Sequence, residues 1–127
     1  MISTSFSLSV PDGGIIGGNA RGLGAIDLQY YRTAATQVAS GLQSLVVGNG
    51  NTASGNRAIA IGHSSSASGT EAIAIGYQNT ASGDRATAVG YSSSASGTYA
   101  TAAGYSSVAS NSSATAIGRQ NTASGQN

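Results

Sequence analysis

The run Ala58-Ile59-Ala60-Ile61-Gly62 returns directly in the next repeat as Ala72-Ile73-Ala74-Ile75-Gly76. It returns again, altered, as Ala86-Thr87-Ala88-Val89-Gly90 and Ala114-Thr115-Ala116-Ile117-Gly118. Large and small side chains alternate with period two, which is the signature of a strand with two unlike faces. Each run is too short for a helix, and the glycine closing it forbids a longer one. Those closing glycines, Gly48, Gly62, Gly76, Gly90, Gly104 and Gly118, keep a 14-residue interval throughout and read as structural turn positions. Halfway between them the triplet Ala-Ser-Gly supplies Gly41, Gly55, Gly69, Gly83, Gly97 and Gly125. One triplet departs, Ala109-Ser110-Asn111. Asn tolerates a left-handed backbone better than other non-glycine residues, so the departure predicts positive φ at the triplet glycines.

A second short segment, Asn51-Thr52-Ala53-Ser54-Gly55 and its echoes, fills the other half of each repeat. Two short strands per repeat, returning in phase, predict an all-β solenoid whose coils stack in parallel. The larger side chains are assigned to the interior: Leu45 and Val47, Ile59 and Ile61, Ile73 and Ile75, then Thr87 and Val89, Thr101 and Ala103, and Thr115 and Ile117. Burying one Leu, Ile or Val returns roughly 1.5–3 kcal/mol, whereas ordering each residue costs about 1–2 kcal/mol. Two such residues per coil do not offset that cost, so partner chains are expected to bury a second face. On this assignment the coil around Thr101 and Ala103 is the weakest.

Composition fits a repeat and little else. The 127 residues hold 19 Gly, one Phe, one Met and no Trp, which without periodicity would indicate disorder. Net charge is +1, from five Arg against four acids, and gives no footprint for nucleic acid or for a membrane surface. There is no Cys, hence neither a disulfide framework nor a thiolate metal site. No run is long and apolar enough to span a bilayer as a helix, so no membrane insertion is expected.

Residues 1–33 are out of phase and read as a cap or attachment segment, with the repeat region over 34–127. Residues 1–10 lack the basic start and apolar run of a secretory signal, so export by that route is not expected. Residues 3–10 alternate like a strand, and Pro11-Asp12-Gly13-Gly14 ends it with turn residues. Gly17-Gly18-Asn19-Ala20-Arg21-Gly22-Leu23-Gly24 superficially matches a phosphate-binding loop, but it lacks the flanking strand, helix and distant acid, and reads as a connector. Ala25-Ile26-Asp27-Leu28-Gln29 reads as a further short strand.

Stacking places equivalent residues of successive coils about 4.8 Å apart, so columns can be read directly. Arg57, Glu71 and Arg85 form a column of alternating charge, expected to be an exposed ladder of about 0–1 kcal/mol per pair. His63, Tyr77, Tyr91 and Tyr105 form an aromatic column with Arg119 next in line. Such rings either stack and shield the turn or present a rigid surface to a receptor. Asn51, Ser65, Asn79, Ser93, Ser107 and Asn121 are expected to satisfy backbone groups at a corner. One His and four scattered acids offer no nucleophile–base pair, and Asp12, Asp27 and Asp84 do not repeat in phase as calcium ligands would. No catalytic residue, metal or cofactor is expected.

The Ala-Ile-Ala-Ile-Gly run with Ala-Ser-Gly at the half-period resembles the YadA-like head of trimeric autotransporter adhesins, over residues 34–127. That resemblance implies a left-handed parallel β-roll of 14-residue coils, assembled as an intertwined or side-by-side homotrimer. Upstream, Gly18-Asn19-Ala20-Arg21-Gly22, Ala25-Ile26-Asp27-Leu28-Gln29 and Arg32-Thr33-Ala34-Ala35, leading into Gln37-Val38-Ala39-Ser40-Gly41, is similar to bacteriophage tail-fibre proteins carrying the same head repeats. No coiled-coil stalk or membrane anchor follows Gly125 in this sequence, which reads as a fragment or processed product.

Together these imply a virion component: a trimeric tail-fibre segment that presents or spaces a host-binding surface. Its implied partners are two further copies, other tail or baseplate proteins, and a host-surface glycan or protein. The head of a bacterial adhesin, exposed at the cell surface, is the alternative within the same class. A monomeric solenoid binder, such as an ice-binding protein, is the alternative outside it. Thr87, Thr101 and Thr115 share a column, but one assigned to the interior, which argues against a flat exposed threonine array.

Overall fold

The computed structural model describes residues 21–125. The expected strand over 3–10, the turn after it and the start of the glycine-rich connector lie outside the described residues. Seven longer strands build one parallel sheet: β1 (Ile26–Tyr31), β2 (Leu45–Asn49), β4 (Ile59–His63), β6 (Ile73–Tyr77), β8 (Thr87–Tyr91), β10 (Thr101–Tyr105) and β12 (Thr115–Arg119). Six very short strands build the facing sheet: β3 (Thr52–Ala53), β5 (Ser66–Ala67), β7 (Thr80–Ala81), β9 (Ser94–Ala95), β11 (Val108–Ala109) and β13 (Thr122–Ala123). From β2 onward every pairing joins equivalent positions of successive repeats, Ile59 on Ile73 and Tyr77 on Tyr91. The solenoid of 14-residue coils is therefore as the spacing predicts.

β1 lies within the segment read as a cap, upstream of Ala34, yet it pairs in parallel with β2 as the first strand of the long sheet. Its register sets Ile26 on Leu45, a longer step than the later repeats take, and a bulge falls between Gln29 and Tyr31. Where later coils place Val46 or Ala60 inside, this coil places Asp27, joined to Arg21 at 3.2 Å, and Gln29, whose amide donates to Asp27 at 3.0 Å. The interior of this first described coil is therefore polar where that of the later coils is apolar.

From β4 onward the interior is alanine, while in the β2 coil the buried Ser44 and Val46 hold the equivalent positions. Ala58, Ala60, Ala67, Ala72, Ala74 and Ala81 are 0% exposed, and the equivalents at every later level down to Ala109 match them. Ile59, Ile61, Ile73 and Ile75 instead point outward and stay half-buried, while Val89 and Ile117 are 36% and 63% exposed. This corrects the inward assignment of the larger side chains. From β4 onward the two sheets, joined by tight corners, leave room for a methyl group between them, and the β2 coil takes a larger side chain, Val46. An isoleucine there would force the sheets apart against close packing.

The correction carries two others. The interior does not thin toward Thr101 and Ala103, because Ala100 and Ala102 fill it as Ala58 and Ala60 do. The coil there is not weak inside, and only its outer face changes. The Thr87, Thr101 and Thr115 column lies on that outer face, so its burial is no longer an argument against an exposed array. The column is short, however, and shares its face with Val89, Ala103 and Ile117.

The triplet glycines are also not what Asn111 suggests. None of Gly41, Gly55, Gly69, Gly83 and Gly97 has positive φ. A Cβ on any of them would lie 1.9–2.1 Å from a backbone oxygen of the next coil, so glycine is required by close approach. Where Asn111 takes the position, its N–H lacks the bond to the next coil that Gly55, Gly69 and Gly83 make to alanine carbonyls at 3.4 Å. The left-handed residues lie elsewhere: Arg57, Glu71, Arg85 and Tyr99 at one corner (φ 56–60°), Ser64, Gln78, Ser92 and Ser106 at the other (φ 53–55°).

Candidate functional site

Each long strand from β2 onward ends on Gly48, Gly62, Gly76, Gly90, Gly104 or Gly118 followed by one residue at the corner. These glycines hold φ of 120–123°, a region that only glycine enters freely. The bend is held from inside by the Asn/Ser column, which hydrogen-bonds the corner backbone as its pattern suggests. Asn51 Nδ2 donates to the Val47 carbonyl at 3.0 Å and to the Gly62 carbonyl of the next coil at 2.7 Å. Its Oδ1 accepts from the Ser65 N–H at 2.8 Å. Asn79 repeats this with Ile75, Gly90 and Ser93. Ser65 and Ser93 each donate to the following coil's glycine carbonyl, Gly76 and Gly104, at 3.3 and 3.2 Å. At the top Gln29 Oε1 accepts from the Asn51 N–H at 2.6 Å, tying the first coil into the same ladder. Buried polar groups satisfied in this way fix one geometry and penalise any slip.

Because every corner is pinned alike, the side chains leaving it fall into register. His63 and Tyr77 stack with centroids 5.1 Å apart, Tyr77 and Tyr91 at 4.9 Å, and Tyr91 and Tyr105 at 5.0 Å. Their planes are within 5–11° of parallel. Arg119 closes the column, its guanidinium 5.7 Å from the Tyr105 ring centre. The ring faces thus cover one another, and edges and hydroxyls are what solvent meets. All four sequence-derived members of the column are brought together.

The opposite corner carries the charged column. Arg57 reaches Glu71 at 2.8 Å and Arg85 reaches the other carboxylate oxygen at 2.9 Å. Arg85 also donates to the Tyr99 hydroxyl and lies over that ring at 5.2 Å. Its guanidinium is held above the ordinary value by the hydrogen bond to Glu71, with the charges of Tyr99 and Glu71 adding to it. Tyr99 escaped the sequence reading because it differs in type from the column's ions, although its phase places it there.

Between the two corners lies the outer face of the long sheet, also missed as a surface. Its columns run Leu45, Ile59, Ile73, Thr87, Thr101, Thr115 and Val47, Ile61, Ile75, Val89, Ala103, Ile117. The first half is aliphatic in both columns, and the second mixes threonine into one of them. Among the described residues no three or more His, Cys, Asp or Glu gather as a metal site. No helix among them is long and apolar enough to cross a membrane.

The family profile of the YadA head domain repeat, which holds two copies, matches residues 39–65, 67–93, 95–121 and 109–127. Neither the curated proteins nor the solved structures include a match.

Proposed function

Because the chain belongs to the YadA head domain repeat family, we propose that it is one strand of a homotrimeric, fibre-like head that presents or spaces a host-binding surface. The observation that carries the assembly is the outer face of the long sheet. Seven strands of about five residues make a patch of roughly 30 Å by 17 Å, about 500 Å², by ordinary strand dimensions. The largest apolar patch of a few hundred Å² on a protein surface is often a functional contact surface. One such face falls short of the ~800 Å² per partner of a stable two-body interface. Three chains around an axis make up the difference by burying a second flank of each. The role is structural and adhesive rather than catalytic.

We assign the head to a bacteriophage tail fibre, with other tail or baseplate proteins as neighbours. The similarity of residues 18–22, 25–29 and 32–35 to tail-fibre proteins supports this assignment. The head repeats themselves favour the cell-surface adhesin equally.

Light scattering on the intact chain tests the assembly: a mass of three chains is expected, and a folded monomer overturns it. Immunogold labelling tests the context. Label on virion tails is expected, whereas label confined to the bacterial envelope assigns the chain to a surface adhesin.

A further inference from the structure

We propose that the hydroxyl edge of the aromatic column is a track for a linear, equatorially linked glycan running along the stack, about one sugar to each coil. This deepens the host-binding reading above and depends on it for its biological setting. Three observations carry it.

The first is what the column exposes. With ring faces covered at 4.9–5.1 Å, sugars have no platform to stack on. Tyr77, Tyr91 and Tyr105 are nonetheless 39–45% exposed, and no protein group among the described residues bonds their hydroxyls. Each phenol both donates and accepts, as does each sugar hydroxyl.

The second is the neighbouring position. Following the rings come Ser64, Gln78 and Ser92, then Ser106, all at left-handed φ of 53–55°. Such a backbone costs a non-glycine residue of order 1 kcal/mol or more. The coil that carries Asn49 in place of a ring has Gly50 there, at φ 64°. Glycine is therefore acceptable at this corner, yet every coil with a ring keeps a polar side chain beside it despite the strain, as does the coil of Arg119 with Gln120 at φ 57°. A hydroxyl or carboxamide next to each phenol doubles the hydrogen-bonding row.

The third is the period. An extended peptide advances about 6.6 Å per pair of residues and polyproline about 3.1 Å per residue, so both fall out of step with a ladder of about 5 Å. An equatorially 1,4-linked pyranose advances by nearly one coil per sugar, and although successive sugars are turned over, each presents hydroxyls to the row, with equivalent groups at every second coil.

Calorimetric titration with cello- and chito-oligosaccharides of two to six sugars tests the track, with maltohexaose as the curled, axially linked control. Affinity is expected to rise with length in at least one equatorial series and to be absent for maltohexaose. The Tyr77→Phe/Tyr91→Phe/Tyr105→Phe variant keeps the ring stack and removes the hydroxyls. It should lose about tenfold or more in affinity with an unchanged circular dichroism spectrum. Equal binding by that variant, equal binding of maltohexaose, or no binding by either equatorial series overturns the proposal. The mass of the same samples separates the two readings. A monomer that binds the glycan refutes the trimer and keeps the track, and a trimer that binds none does the reverse.

Discussion

The inner and outer faces of the long sheet share the same strands and obey opposite rules. Inside, the alanines of β4 recur unchanged through β6, β8, β10 and β12, Ala60 giving way only to Ala74, Ala88, Ala102 and Ala116. Outside, the same strands pass from Ile59 and Ile73 to Thr87, Thr101 and Thr115. The inside must fit a neighbour above, a neighbour below and a facing sheet, so from β4 onward its volume does not vary. The outside answers only to what covers it. The coil is thus made by the invariant residues, and the variable ones are free to specify an assembly.

The largest effect should come from the stacking itself. Gly83→Ala would put a Cβ 2.1 Å from the Gly97 carbonyl oxygen, with backbone on both sides of the clash. A loss of more than about 3 kcal/mol is expected, seen as a collapse of the thermal transition. Gly125→Ala, with nothing within 4 Å of its added methyl, should be silent. Equal behaviour of the two would mean that the coils are not in contact as described.

Next comes the interior. Ala74→Leu forces extra methylenes into a space filled by Ala60 and Ala88, and should cost about 1–3 kcal/mol whether or not the chains are associated. Ile75→Ser, one residue along, is expected to do the opposite: leave the strand spectrum intact and weaken association, read as a fall in mass on dilution. If Ile75→Ser instead unfolded the coil while Ala74→Leu did not, inside and outside would be exchanged.

That exchange was the error the bare sequence invited, and its cause is instructive. Period-two alternation separates two faces but does not say which is inside. Hydrophobicity argued for isoleucine, and it is outweighed here by the narrowness of the coil. The discriminating signal was present in the internal comparison of repeats: Ala58, Ala72, Ala86, Ala100 and Ala114 do not vary, while the residue after each changes from Ile to Thr. Columns, by contrast, were legible without any structure, because a strict 14-residue phase places His63 over Tyr77 and Arg57 over Glu71 regardless of direction. Phase left two readings of the rings, stacked on one another or presented to a receptor, and the structure stacks them. Nor could phase tell φ-driven glycine from contact-driven glycine, since Asn111 pointed to the former and the contact shows only once the next coil's carbonyl is seen.

The smallest effect belongs to the charged corner, which is neither face. Glu71 holds Arg57 at 2.8 Å through one oxygen and Arg85 at 2.9 Å through the other, so Glu71→Gln removes two ion pairs at once. It also leaves two arginines two coils apart, roughly 10 Å, which is about the Debye length at 0.1 M salt. Their repulsion is therefore largely screened in ordinary buffer, and the half-exposed pairs contributed little there to begin with. The melting temperature should fall only slightly at about 0.15 M salt and visibly more at about 0.01 M, where screening reaches about 30 Å. A gap between wild type and variant that ignores salt would mean the carboxylate acts through packing, and would move this corner from the solvent edge into the interior class.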